Sequence, residues 1–246
     1  MGLLDGLLTL ALAPRCLGCG GATRDPRALV CGRCRSRIQP PPAPLCPRCG
    51  MPRLRTGRAP GPRCQECLEW PVGLRAARSA CLLHHPADAL VHHLKYRGWK
   101  ALASFMAHRM AALPLPEDVA RETRIVIAVP TTRTRLRERG YNQAEVLAAR
   151  LARATGRTLL PALRRAPGTS SQTTLQPAAR LANVAGAFRP MDATRNEIAG
   201  EHLLLVDDVL TTGATAVACA ETLMAAGARC VSVLTFARAP GRLRTN

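Results

Sequence analysis

The chain has few aromatic residues, few lysines and few acids. Aromatic residues make up 3% of its 246 positions, so an extended platform for stacking nucleic-acid bases is not expected. No uninterrupted apolar run approaches the ~20 residues that a membrane-spanning helix needs. The apolar opening, MGLLDGLLTLALAP, contains Asp5 and no basic residue before its apolar core, which disfavours a secretory signal. We therefore expect no transmembrane segment. Eight of the eleven cysteines stand in C-x-x-C pairs, a metal arrangement that needs reduced thiols, and this favours a cytoplasmic location.

Positive charge is abundant. Lysine and arginine total 35 against 16 acids, giving a net charge of +19 and a pI near 11.1. Such a balance favours polyanionic partners or phosphorylated small molecules. Codon composition is a competing explanation, because Lys95 and Lys100 are the only lysines among the basic residues.

Cysteine is the most patterned residue. Eight of the eleven cysteines form C-x-x-C pairs: Cys16/Cys19, Cys31/Cys34, Cys46/Cys49 and Cys64/Cys67. Two such pairs can supply a tetrahedral Cys₄ shell for structural zinc, and the pattern is repeated, so we expect two Zn²⁺ ions in a double zinc ribbon over residues 15–72. Sequential pairing is our choice, although a cross-braced arrangement would use the same ligands. Disulfides or redox-active pairs are weaker alternatives, because four such pairs are redundant for redox chemistry.

A second composition begins near residue 79. Short β-rich runs at 80–84, 125–129, 203–206 and 230–236 alternate with helical stretches at 99–113, 142–154 and 214–226. Several runs lack polar alternation, as strands buried on both faces of a parallel sheet do. We predict an α/β domain over 79–240 with an open, mostly parallel sheet, preceded by a short helix over 1–14.

The stretch LLLVDDVLTTGAT, residues 203–215, runs from an apolar strand into two aspartates and then into a threonine/glycine loop. Exposed N–H groups at the start of a helix bind anions, and carboxylates can accept hydrogen bonds from sugar hydroxyls. Together they suit a phosphorylated ribose. Simple helix capping by acids and hydroxyls is the alternative.

LLLVDDVLTTGAT resembles the phosphoribosyl diphosphate (PRPP) signature of type I phosphoribosyltransferases. HHLKYRG (92–98), VPTTRTRLRERGYNQA (129–144), RAPGTSSQTTLQPAARLANVAGAF (165–188) and the eight cysteines resemble blocks of the ComF/GntX competence-associated family. The resemblance implies a type I phosphoribosyltransferase-like fold. It implies ribose contacts from Asp207 and Asp208, with Mg²⁺ bound alongside PRPP. The implied phosphate loop comprises Thr211, Thr212, Gly213, Ala214 and Thr215.

The same resemblance implies further site residues. The loop after the 125–129 strand should contact pyrophosphate through Thr131, Thr132 and Arg133, and in phosphoribosyltransferases it can contain a non-proline cis peptide. Lys95 is a candidate catalytic residue, because a lysine kept in so arginine-rich a chain indicates a need for a compact charge. A mobile flap over 164–183 should carry Arg165, Thr169, Gln172, Arg180 and Asn183. An ordinary basic loop is the alternative for the segment after the 125–129 strand, and an ordinary disordered loop is the alternative for 164–183.

We interpret the chain as a PRPP-binding, ComF-like protein that transfers phosphoribosyl to an unidentified nitrogen acceptor during DNA uptake. Two other functions stay open. One is single-stranded DNA binding as a competence factor, alone or with other DNA-uptake proteins; the other is PRPP sensing without catalysis.

Overall fold

The computed structural model of the protein describes residues 14–25, 27–53, 64–166 and 186–240. The predicted N-terminal helix and the flap residues Thr169, Gln172, Arg180 and Asn183 lie outside these ranges.

A parallel sheet forms the centre of the fold. Its strands are β1 (Leu74–Leu82), β2 (Ile125–Ala128), β3 (Thr158–Leu159), β6 (His202–Leu210) and β7 (Cys230–Arg238). They lie in the order β1-β7-β6-β2-β3, and every neighbouring pair is parallel. β4 (Leu163–Arg165) and β5 (Phe188–Pro190) form a separate antiparallel pair. The predicted mostly parallel α/β fold is confirmed.

β1 is longer than predicted. Its first half, from Leu74 to Ser79, includes Arg75 and Arg78 and so lacked the continuous apolar run that marked the other strands. β1 is an edge strand, where charged side chains are tolerated because one side of the strand has no neighbour in the sheet.

Helices connect the strands. They are α1 (Gly32–Arg37), α2 (Ala87–Tyr96), α3 (Leu102–Ala111), α4 (Glu117–Glu122), α5 (Arg133–Arg139), α6 (Gln143–Thr155), α7 (Arg195–Ile198) and α8 (Ala214–Ala225), with 3₁₀ turns at Gln65–Cys67 and Asp192–Thr194. The predicted cap is present at α6, where the Asn142 side chain accepts a hydrogen bond from the Ala144 amide at 3.1 Å. Gly227, predicted to end α8, has φ +109°.

The sheet separates two apolar cores. Leu204, Val206 and Phe236 pack on the side of α2, α3 and α6. Leu203, Leu205 and Val233 pack on the opposite side, with α8. Each fully buried leucine contributes about 1.5–3 kcal/mol, so β6, apolar on both faces, is strongly fixed as a central strand.

Both cysteine segments join these cores. Cys16, Val30 and Ile38 of the first segment belong to the α2/α3 side. Cys46, Met51 and Trp70 of the second belong to the α8 side. The two segments therefore lie on opposite faces of the sheet.

Candidate functional site at the carboxyl ends of the strands

Asp207 and Asp208 lie inside β6, which continues to Leu210 instead of ending at Val206. Successive side chains of a strand point to opposite faces. Asp208 accordingly contacts Lys95 of α2, whereas the charge of Asp207 acts on Cys219 of α8. The two carboxylates are adjacent in sequence but divided between the two faces of the sheet.

Asp208 forms a buried ion pair. Its Oδ2 lies 2.7 Å from Lys95 Nζ, and the two side chains are 3% and 23% exposed respectively. An unpaired charge at such depth would be unfavourable by several kcal/mol, so each partner depends on the other. Lys95, a candidate site residue, is thus held beside the predicted acidic pair with most of its side chain buried.

Asp207 is partly buried and has an unfavourable electrostatic environment. Burial, and then the charge of Asp208, raise the pKa of Asp207 well above its usual 3.8, although Lys95 opposes the shift. Its Oδ1 accepts a hydrogen bond from the Asp208 amide at 2.8 Å. A carboxylate with a strongly raised pKa at a strand end is typical of a functional site, because a bound cation or hydroxyl donor would relieve the strain.

The predicted phosphate loop leads directly into a helix. Thr211 and Thr212 are exposed, and α8 begins at Ala214, one residue after Gly213 with φ +87°. The N-cap residue provides no side-chain hydrogen bond, although Thr212 Oγ1 lies 3.4 Å from the Ala214 amide. The first N–H groups of a helix have no partner within it, so this loop presents donors at the edge where Asp207 lies.

Residues 133–139 after β2 fold as a helix, where we expected a loop. The Thr132 side chain accepts from the Arg135 amide at 3.2 Å, and Gly140 ends α5 in the left-handed conformation at φ +72°. Arg133, the candidate pyrophosphate ligand, is exposed at the start of α5, and Thr131 is partly buried beside it. Among the described residues, cis peptides precede only Pro44 and Pro86, so this segment is entirely trans.

The charge of one arginine acts on another in a way that the sequence did not predict. Burial, and then the charge of Arg135, lower the pKa of Arg165 on β4. The Arg165 guanidinium lies 5.2 Å from the Phe188 ring centroid and also acts on Cys219. Arg165 was expected in the flap, whereas Arg135 was not singled out from the arginine-rich block.

The eight paired cysteines form two Cys₄ groups: Cys16, Cys19, Cys31 and Cys34, and Cys46, Cys49, Cys64 and Cys67. Within each group all sulfurs lie within 4.8 Å of one another. The Cys46–Cys67 and Cys49–Cys64 sulfur separations are both 3.8 Å, close to the tetrahedral edge implied by Zn–S bonds of about 2.3 Å and far beyond the ~2.05 Å of a disulfide. Sequential pairing is confirmed, and each closed shell suits structural zinc.

Backbone amides favour the thiolate form of Cys16. Burial opposes ionisation of Cys16, but hydrogen bonds from the backbone lower its pKa to about 6. The amides of Gly18 and Cys31 each lie 3.3 Å from Cys16 Sγ. Amide donors of this kind stabilise the thiolate form that binds zinc.

No helix among the described residues combines the length and the apolar character needed to cross a membrane.

Two family models match the chain. A double zinc ribbon domain matches residues 7–68, and a phosphoribosyl transferase domain matches residues 136–245. The fold and the two Cys₄ groups thus define a zinc-ribbon protein with a phosphoribosyltransferase-like domain.

Relatives identify the family. The chain is 30% identical over 246 residues to DNA utilization protein YhgH of Escherichia coli strain CFT073, covering 96% of this chain and 98% of the relative. It is 28% identical to competence protein F of Haemophilus influenzae, covering 92% and 97%. It is 25% identical to competence protein ComFC of Bacillus subtilis, covering 86% and 84%. The chain belongs to this ComF family of competence and DNA utilization proteins. Among solved structures, an allosteric regulatory enzyme of purine biosynthesis is similar over 59% of this chain and 26% of its own, with 24% identity and a TM-score of 0.36.

Proposed function

We propose that the chain binds PRPP, or another phosphorylated ribose, at the carboxyl ends of β6 and β2. The observation that carries this proposal is the position of Asp207, partly exposed and next to the Thr211–Gly213 loop at the start of α8. The loop supplies N–H and hydroxyl donors for a phosphate, and Asp207 accepts hydrogen bonds from ribose hydroxyls.

Charge of both signs supports a diphosphate ligand. Lys95 pairs with Asp208 and keeps 23% of its side chain exposed, and the charge of Arg135 acts on Arg165. Positively charged side chains of this kind favour a bound anion such as a diphosphate. Asp207 and the threonine hydroxyls are hard oxygen donors that fit Mg²⁺, which when bound would screen the diphosphate charge.

In the proposed reaction, a nitrogen nucleophile attacks C1 of PRPP, the C1–oxygen bond breaks, and pyrophosphate leaves with its electron pair. Cations near the diphosphate stabilise the developing negative charge. Release of pyrophosphate in the presence of candidate acceptors is the direct measurement. Binding without any release, across a broad set of nitrogen acceptors, would favour PRPP sensing instead.

Calorimetry with Mg²⁺ and ribose 5-phosphate or PRPP tests binding. Asp207→Asn should weaken binding by about tenfold to a hundredfold, the usual effect of losing a charge-assisted hydrogen bond. The matched control is Glu221→Gln, which removes an exposed acid from α8. Equal affinity of Asp207→Asn and wild type would contradict the proposal.

The pH dependence has a definite sign. Because the pKa of Asp207 is raised in the folded state, folding takes up a proton between pH 3.8 and the raised value, and stability falls as pH rises through that interval. Asp207→Asn should therefore raise the melting temperature of the free protein at pH 7 by about 2–4 °C. Ligand binding, which uses the ionised carboxylate, should strengthen over the same interval. An unchanged or lower melting temperature at pH 7 would argue against the strained carboxylate.

Single-stranded DNA binding is a second candidate, favoured by an exposed aromatic and basic surface. Tyr96 and Trp99 are 60% and 42% exposed. The Arg139 guanidinium lies 4.8 Å from the Tyr96 ring centroid, and Arg97 and Lys100 are exposed beside them. Although aromatic residues are rare in this chain, two of them are available here for stacking with bases.

Tyr96→Ala combined with Trp99→Ala should weaken DNA binding about tenfold or more, as loss of base stacking does. Arg153→Ala, an exposed charge on α6, is the control and should have little effect. Affinity measured by fluorescence anisotropy should fall steeply with salt. Unaltered binding in the double variant would remove this surface from consideration.

A further inference from the structure

The second Cys₄ group lies next to the loop that we assign to phosphate. Cys67, its last ligand, ends the Gln65–Cys67 3₁₀ turn, and the Trp70 amide donates back to the Cys67 carbonyl at 3.3 Å. The Arg48 guanidinium donates to the Cys67 carbonyl at 3.2 Å and to the Trp70 carbonyl at 3.0 Å. Two sets of hydrogen bonds, one from the Trp70 amide and one from Arg48, therefore hold Trp70 at a fixed position relative to Cys67.

The Trp70 ring covers Gly213 of the phosphate loop. A β-carbon on Gly213 would lie 2.7 Å from Trp70 Cζ2 and 3.0 Å from both Cε2 and Nε1. Trp70 is 6% exposed, and its indole packs between the second ribbon and the loop. Gly213 needs its positive φ of +87° to join β6 to α8, and the ring occupies the space that any side chain at this position would take.

The same segment also contacts the far end of α8. A β-carbon on Gly73 would overlap Met224 Sδ, which places the backbone after Trp70 directly against that helix. The segment from Cys67 to Gly73 thus contacts α8 near the first and the last residues of that helix. The first Cys₄ group makes its close approach elsewhere, where a β-carbon on Gly18 would lie 2.9 Å from Pro86 Cβ on the other face of the sheet.

We propose that Trp70 is a positioning residue that couples zinc at the second Cys₄ group to the conformation of the phosphate loop. Zinc fixes the Cys67–Trp70 segment, the indole fixes Gly213, and Gly213 aims the first N–H groups of α8. Since coupling between two sites is reciprocal, a ligand held by the loop should in turn make the second zinc harder to remove. This part rests on the proposed phosphate binding.

A test without ligand addresses the coupling itself. Hydrogen exchange at the Val217 amide, which donates to the Gly213 carbonyl at 2.8 Å, should accelerate at least tenfold in Trp70→Leu and in Cys49→Ser, but not in Cys19→Ser, which disrupts the first group. Trp70→Phe, which keeps a ring over Gly213, should restore most of the protection. If Cys49→Ser does not fold, the coupling is tested by hydrogen exchange in Trp70→Leu with two bound zinc ions. Unchanged exchange in Trp70→Leu would overturn the proposal.

A test with ligand uses tryptophan emission. The chain contains two tryptophans, so Trp99→Phe leaves Trp70 as the reporter. Ribose 5-phosphate with Mg²⁺ should change its emission and slow removal of one of two zinc ions by a chelator at least threefold. Trp70→Leu should bind the ligand about tenfold more weakly with zinc content unchanged. If the wild type does not bind the ligand in calorimetry, the proposed function is wrong, and the hydrogen-exchange experiment still tests the coupling. If the ligand binds but does not slow zinc removal, the coupling is wrong and the proposed function stands.

Discussion

The two zinc ribbons use the same local structure in different surroundings. The Cys16 amide donates to the Gly21 carbonyl at 2.8 Å, and thirty residues later the Cys46 amide donates to the Met51 carbonyl at 2.8 Å. Gly20 and Gly50 follow their knuckles with φ +73° and +68°. The metal motif therefore determines the turn, but it does not determine what the turn contacts.

One position within the knuckle accounts for much of the difference. Gly18 occupies it in the first ribbon and Arg48 in the second. Gly18 is packed too closely against Pro86 and Cys34 for a larger residue. Arg48 instead donates four hydrogen bonds to backbone carbonyls of Leu74, Cys67, Trp70 and Pro71. The second ribbon is thereby attached to the segment that enters β1.

The charge around the two groups also differs. Arg238, 1% exposed, donates to the Cys49 carbonyl at 3.3 Å, and its charge favours the Cys49 thiolate. A Zn(Cys)₄ group carries two negative charges, so a buried arginine beside it offsets charge that solvent cannot screen. In the first ribbon Cys19 is exposed to solvent, which can perform that role. A metal site inside the domain needs its own counter-charge.

The largest expected effect comes from removing one ligand of each group. Cys49→Ser and Cys19→Ser should each lower zinc content from about two to about one per chain. Cys49→Ser should destabilise the protein by more than about 4 kcal/mol, because the second group lies within the α8-side core, and Cys19→Ser should cost less. Metal analysis and thermal unfolding measure both. Equal losses of stability would abolish the distinction between the ribbons.

Arg48→Met should destabilise the protein by about 2–4 kcal/mol, since it removes four hydrogen bonds to backbone carbonyls. Arg48→Lys keeps the charge but loses the planar fork and should recover only part of the loss. Chemical denaturation measures the difference. Full recovery by lysine would mean that charge, not the hydrogen-bond geometry, attaches this ribbon.

Gly50→Ala and Gly20→Ala form a matched pair with nearly the same backbone conformation. Each should lose about 1 kcal/mol for a side chain at positive φ. Gly50→Ala should lose about 1–3 kcal/mol more, because its β-carbon would lie 2.7 Å from the Ala77 carbonyl oxygen, whereas Gly20 has no such neighbour within 4 Å. Melting temperatures that fall equally would show that β1 moves away without penalty.

The smallest effect is expected at Arg15, which corresponds to Leu45 in the second ribbon. Its guanidinium donates to the Gly20 carbonyl at 3.3 Å on an exposed surface. Arg15→Leu should change stability by no more than about 0.5 kcal/mol, as exposed substitutions usually do. A loss of stability above about 1 kcal/mol would show that Arg15 makes a stabilising contact beyond its exposed hydrogen bond to Gly20.

Local patterns predicted much of this fold because their physical causes are local. Cysteine spacing determined both Cys₄ groups, and the apolar run of 203–206 marked the central strand. The contact of Trp70 with Gly213 spans 143 positions, and an isolated tryptophan carries no periodic pattern that would indicate its partner. The sequence did not predict that Asp207 and Asp208 lie on two faces of the sheet, because it indicated that the strand ends at Val206. The strand continues for four more residues, since pairing with β7 holds residues that otherwise favour a loop in an extended conformation.

The attachment of the second ribbon has a consequence for solubility. β1 ends the sheet, and its outer side receives the Arg48 carbonyl, 2.7 Å from the Ala77 amide. A bare strand edge can recruit strands from other molecules. The cysteine knuckle therefore shields this edge, and a cell short of zinc would be expected to accumulate the protein as intermolecular β-aggregates before its central sheet comes apart.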